Sequence, residues 1–148
     1  MRQWMKNALI VLLVIGTLLV LVSCGTAKVT LPDSIDKITI SWKGGPATTF
    51  SYTDAEKIDQ LAAYFTSLEL QRTSKDPMQY NGGGWVITLE TQSASYGLHH
   101  YGHQFFKTTD GIWWEIPYMQ AEAFEALLKE LVPDVMPEQL VFSEWKVE

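Results

Sequence analysis

Between residues 85 and 116, apolar and polar side chains alternate in four runs, and a turn signal separates each run from the next. Alternation with period two puts every second side chain on the same side of a strand, which is the pattern of a half-buried antiparallel sheet. The runs are residues 85–91, 96–101, 104–109 and 112–116. Asp110-Gly111 is a two-residue hairpin signal of type I′, and Gly102-His103 places glycine where a type II′ turn needs positive φ. A four-residue loop joins the first two runs. Pairing Thr91 with Tyr96, Tyr101 with Gln104 and Thr109 with Ile112 then assigns every side chain to a face. One face collects Trp85, Ile87, Leu89, Tyr96, Leu98, His100, Phe105, Lys107, Ile112, Trp114 and Ile116. The other collects Val86, Thr88, Glu90, His99, Tyr101, Gln104, Phe106, Thr108, Trp113 and Glu115. The first is the more apolar and is expected to face the core.

Upstream, residues 37–42 and 48–52 alternate around a Lys43-Gly44-Gly45-Pro46 turn and predict a further hairpin, with Phe50 and Tyr52 on one side. Thr53-Asp54-Ala55-Glu56 has the spacing of a capping box. Ile58, Leu61, Ala62, Phe65 and Leu68 follow at helical spacing, predicting a helix over residues 54–68. Residues 71–75 suit a short strand, and residues 76–84 are turn-rich. Phe124, Leu127, Leu128 and Leu131 make a second helical stripe between Pro117 and Pro133. The tail, residues 134–148, carries Leu140, Val141, Phe142, Trp145 and Val147 and is expected to pack back on the domain. The fold class is α+β: an antiparallel sheet of about five to seven strands with two helices packed on one face.

The amino terminus reads differently. Arg2 and Lys6 precede an apolar or small run over residues 8–22, shorter than the roughly 18 residues a membrane span requires. A basic start, a short apolar run and a small-residue junction make up an export signal. Leu21-Val22-Ser23-Cys24 closely resembles the lipobox of bacterial lipoproteins. The resemblance implies a diacylglyceryl thioether on Cys24, acyl chains such as palmitate, cleavage before the cysteine, and retention at the cell membrane on its extracytoplasmic side. Cys24 is the only cysteine, so no intramolecular disulfide competes for it. Residues 1–23 are thus expected as a signal peptide, 24–34 as the lipidated cysteine and a tether, and 35–148 as a single extracytoplasmic domain. The order of elements also resembles that of many small uncharacterised lipoproteins of Gram-positive bacteria.

Charge narrows the function classes. The whole chain carries a formal −6, and loss of Arg2 and Lys6 with the signal leaves nine basic and seventeen acidic residues, net −8. An acidic domain without a basic cluster is poorly suited to nucleic acid, whose binding depends on neutralising phosphates.

Candidate chemistry is sparse. His99, His100 and His103 are all the histidines present, and imidazole is a common metal ligand. Adjacent strand residues point to opposite faces, so His99 and His103, with Glu115, form the only plausible metal set. No Gly-x-Ser-x-Gly motif occurs. The carboxylate pairs Asp54/Glu56 and Glu122/Glu125 sit at helix starts, where the macrodipole favours acids. No enzyme activity and no cofactor are expected. Tyr101, Phe106 and Trp113 place aromatic area beside Glu115 on the face the helices leave uncovered, and such area is typical of contact surfaces. The expectation is a non-enzymatic binding module at the membrane, anchored through lipid on Cys24 and meeting an envelope protein or a small-molecule ligand. A metal-binding protein and a structural envelope component are the alternatives.

Overall fold

A computed structural model describes residues 26–44, 48–80, 82–102, 104–131 and 133–134. The segment expected as a signal peptide, Cys24, His103 and the tail after Asp134 lie outside these residues. The elements run β1 (Lys37–Lys43), β2 (Thr48–Tyr52), α1 (Ala55–Ser67), β3 (Gln71–Arg72), a 3₁₀ turn (Pro77–Gln79), β4 (Gly84–Glu90), β5 (Ser95–Tyr101), β6 (Phe105–Lys107), β7 (Trp113–Glu115) and α2 (Tyr118–Glu130). The strands form one antiparallel sheet in the order β2-β1-β4-β5-β6-β7-β3. Both helices pack on one face, as an α+β chain with this patterning requires. Among the described residues no helix is long and apolar enough to cross a membrane.

Alternation builds the helix-side core. Ile38 and Ile40 of β1 pair with Leu89 and Ile87 of β4, which pair onward with Tyr96 and Leu98 of β5. All of these except Tyr96 are sealed from solvent. From α1, Ile58, Leu61, Tyr64 and Phe65 reach the sheet; from α2, Ala121, Phe124 and Leu128 do. Phe124 lies at the centre, stacked on Tyr64 at 5.1 Å and on His100 at 5.1 Å, with its edge toward Trp85. Each large apolar side chain so buried contributes about 1.5–3 kcal/mol through loss of wet surface.

The register departs from expectation in an instructive way. Glu90 pairs with Ser95 and Leu89 with Tyr96, two residues from the anticipated register, so the faces of β4 and β5 are unchanged. Thr91 tightens that loop, its hydroxyl accepting from the Ala94 N–H at 3.0 Å. The next two loops each contain three residues instead of two. Tyr101 pairs with Phe105 across residues 102–104, where Gly102 has φ +55°. In the β6–β7 loop the Gly111 N–H donates to the Thr108 carbonyl at 2.9 Å and the Thr108 N–H to Ile112 at 3.1 Å. Gly111 alone in that loop has positive φ, +84°. This is a type I turn followed by a glycine bulge, not type I′. Each extra loop residue slips the register by one and inverts the strand beyond it; two slips cancel. Only β6 is inverted, so Phe106 faces the helices, opposite His100 and Trp114, and Phe105 and Lys107 face outward.

Two other expectations change. The cap of α1 is Asp54, which accepts from the Lys57 N–H at 3.2 Å, rather than Thr53. The backbone N–H groups of Thr53 and Asp54 instead donate to Asp134 Oδ2 at 2.7 and 2.9 Å, and Lys57 forms an ion pair with the same carboxylate. The segment expected as a tether is partly docked: Ala27 bridges Leu70 with antiparallel backbone hydrogen bonds on the outer edge of β3, and Val29 is only 4% exposed. Ala27, Val29 and Leu31 alternate with Lys28 and Thr30, which is why this stretch pairs with the sheet.

Candidate functional site

On the face away from the helices, two neighbouring cross-strand rows have different fates. One row is Gly84, Tyr101, Phe105 and Glu115; the next is Val86, His99, Lys107 and Trp113. Glycine at 84 is required by close approach, since a Cβ there would lie 2.8 Å from the Tyr101 ring and 2.9 Å from the His100 carbonyl. The Tyr101 ring therefore folds across the end of β4.

The connection between β3 and β4 closes over the first row. Lys75 pairs with Glu115 at 2.7 Å, and the Thr73 hydroxyl donates to the same oxygen at 3.0 Å. The Lys75 hydrogen bond, aided by Thr73, holds the Glu115 carboxyl below its ordinary range against the opposing effect of partial burial. Tyr80 lies 5.3 Å from Phe105, and the Tyr101 hydroxyl donates to the Tyr80 carbonyl at 2.8 Å. Phe105 is consequently only 6% exposed although it points away from the helices.

The second row stays open. Between it and the exposed Met78 lies a hollow of about 400 Å³ lined by Lys43, Met78, Val86, His99, Tyr101, Lys107 and Trp113. Lys107 Nζ sits 5.6 Å from the centre of the Trp113 ring, within reach of its negative π face. His99 and Tyr101 meet Trp113 edge-on at 6.2 and 6.3 Å. Burial, with Lys107 adding to it, lowers the His99 pKa, so at neutral pH the ring is uncharged and offers one donor and one acceptor.

Of the expected contact patch, then, Tyr101 and Trp113 stand at the hollow. Glu115 shares their face but is spent on holding Lys75 and Thr73. Phe106 is not on this surface: it is 0% exposed on the helix side, 6.2 Å from Phe65. His103 lies outside the described residues. His99 faces Lys107 across the ladder, whose charge repels a cation, and among the described residues no three His, Cys, Asp or Glu side chains come together to hold a metal. Lys43, Met78 and Lys107 are the residues that sequence reasoning missed. Lys107 carried a signal, because a lysine on the core face of a strand is out of place. No protein-family model, curated protein or solved structure matches this chain.

Proposed function

We propose that this protein is a lipid-anchored, extracytoplasmic, non-enzymatic binding module, and that its outer-face hollow takes a small ligand bearing an anionic group beside a flat or apolar one. The observation that carries the reading is the arrangement around Trp113: an accessible indole with one lysine over its ring and a second at the margin. Neither Lys43 nor Lys107 has an ion-pair partner among the described residues, in a chain whose charge is strongly negative. Ligand sites are commonly 300–1,000 Å³, mostly apolar, with a few placed polar groups, and a hollow of about 400 Å³ fits that description. Among the described residues its lining holds no carboxylate and no aliphatic hydroxyl, so a carboxylate acid–base pair or a serine-type nucleophile has no material there. The anchor rests on the lipobox at Leu21-Val22-Ser23-Cys24.

Titration with 8-anilinonaphthalene-1-sulfonate, a flat anion, tests the hollow. Saturable binding to the folded protein should weaken about tenfold in Lys107→Ala and in Trp113→Ala, the loss of a charge-assisted or stacking contact. Far-ultraviolet circular dichroism and the urea midpoint should remain close to those of the wild type. Unchanged affinity in both variants sinks the site. For the anchor, metabolic labelling with a fatty-acid probe should mark the wild type and not Cys24→Ala.

A further inference from the structure

We propose that the corner formed by Ala27, Leu70 and the first turn of α2 lies against the lipid bilayer, with Tyr118 and Met119 at headgroup depth. This rests on the lipid anchor at Cys24 proposed above, and adds to it by fixing which side of the domain meets the membrane.

Ala27 and Leu70 exchange backbone hydrogen bonds of 3.1 and 3.2 Å, and Val29, two residues on, is buried in the core. The chain is therefore stapled to the domain from Ala27 onward, and only Gly25 and Thr26 separate that staple from Cys24. Three Cα-to-Cα steps span about 11 Å at most. Acyl chains on Cys24 would sit in the hydrocarbon, so Ala27 could stand no further from the headgroups than this short reach and the glyceryl link allow. A tether through residue 34 would let the domain turn any side to the bilayer; a two-residue one does not.

The surface beside the staple suits that position. Next to Leu70, the Glu69 N–H donates to Gln120 Oε1 at 2.9 Å, and the Tyr64 hydroxyl donates to the Gln120 carbonyl at 3.0 Å. Gln120 thereby holds the start of α2 close to the Ala27–Leu70 bridge. Just before it, Tyr118 and Met119 are 48% and 73% exposed, two large side chains next to each other. Tyrosine favours the membrane–water boundary, and a methionine beside it adds apolar area for the acyl border. The exposed charges nearby are mixed, Lys28 and Arg72 against Glu69 and Glu122. Contact should therefore depend on the short tether and these two side chains, and not on the content of anionic lipid.

The test uses the full-length protein purified from membranes, with the acyl mass on Cys24 verified, and reconstituted into phosphatidylcholine vesicles with or without phosphatidylglycerol. Since Cys24 is the only native cysteine and would be blocked by lipid, Met119→Cys and Gln92→Cys each provide one thiol for an environment-sensitive dye. Gln92 is exposed in the β4–β5 loop at the opposite end of the strands. The dye at 119 should be blue-shifted and quenched by headgroup spin-labelled lipid several-fold more than at 92, in both lipid mixtures. A flexible Gly-Ser insertion after Thr26 should bring the two positions to parity. Equal quenching at 119 and 92 in acylated protein overturns the orientation and leaves the anchor standing. Absence of acyl mass on Cys24 overturns the anchor, and the orientation falls with it.

Discussion

The two halves of the sheet are built differently. β1, β4 and β5 have seven residues each, and β4 pairs with both neighbours over its full length. In the other half β6 and β7 have three residues and β3 two. Backbone ladders align the long half; in the short half side chains do much of that work. Lys75 and Thr73 hold Glu115, Tyr80 holds Tyr101, and the Trp114 indole N–H donates to the Thr108 hydroxyl at 3.1 Å. The candidate site lies where the ladder gives out. A short ladder with long connections brings residues from distant parts of the chain onto one face, which is how rigid scaffolds present binding groups.

The largest expected effect separates the two faces of the short half. Phe106→Ala removes a sealed aromatic from the helix side and should cost about 3–5 kcal/mol in a denaturant titration. Trp113→Ala, on the outer face of the adjoining strand, should cost about 1 kcal/mol or less, nearer the range of surface changes. If Phe106→Ala is as mild as Trp113→Ala, β6 is not inverted and the hollow is wrongly drawn.

Glycines sharpen the comparison between halves. Gly111→Val forces a β-branched residue to φ +84° and should cost about 1–3 kcal/mol. Gly97 lies in β5 of the long half at ordinary φ, with open space where a Cβ would stand. Gly97→Val should therefore be neutral, or stabilise by up to about 1 kcal/mol through strand propensity. Thermal melting of both variants reads the contrast. Equal losses would mean that the short half does not depend on its turn.

Acid should find the two halves unequal as well. Asp134 braces the start of α1 beside the long half. The Lys57 side chain, then the Thr53 and Asp54 N–H groups, hold its carboxyl far below the ordinary range. Glu115 in the short half is lowered by Lys75 and Thr73 alone. A carboxyl depressed in the folded state stabilises above its unfolded value, about 4, and loses that contribution as pH falls below it toward the folded value. Asp134→Asn should accordingly flatten the decline in urea midpoint between about pH 5 and 3 more than Glu115→Gln does. The reverse order would shift the greater electrostatic brace to the short half.

The long half was legible because long alternating runs specify a face twice over, by their own pattern and by that of each neighbour. Ile38, Ile40, Ile87, Leu89 and Leu98 could hardly be placed otherwise. The helix stripes read equally well, though Tyr64 was missed because its burial depends on a hydroxyl bond to Gln120, remote in sequence. In the short half a single loop residue decides which way Phe106 points. Asp-Gly serves both the two-residue turn and the three-residue bulge, so the dipeptide cannot choose between them. The clue was in composition: Lys107 inward with Phe106 outward is worse than the reverse. Lys43 and Met78 had no local clue at all, since they reach the hollow from the last residue of β1 and from the connection before β4.

The finest test of the contrast between halves is His99, which lies on long β5 but faces a short-half neighbour, Lys107. Its lowered pKa has two causes, burial first and Lys107 second. For a base lowered in the fold, the unfolded chain takes up the proton first, so stability declines as pH falls below the ordinary imidazole value of about 6.5 and levels off beneath the folded value. Lys107→Gln removes the smaller cause and should raise the His99 titration part of the way. Trp113→Ala strips the ring that stands edge-on over the imidazole, admits water, and should raise it further. An anion in the hollow should also raise it, by offsetting Lys107, without touching the fold. With three histidines in the chain, proton NMR between about pH 4 and 8 can follow His99 through all of these cases. Should wild-type His99 already titrate at the ordinary value, it is open to bulk water and free of Lys107. The hollow would then have neither the wall nor the charge on which ligand binding depends.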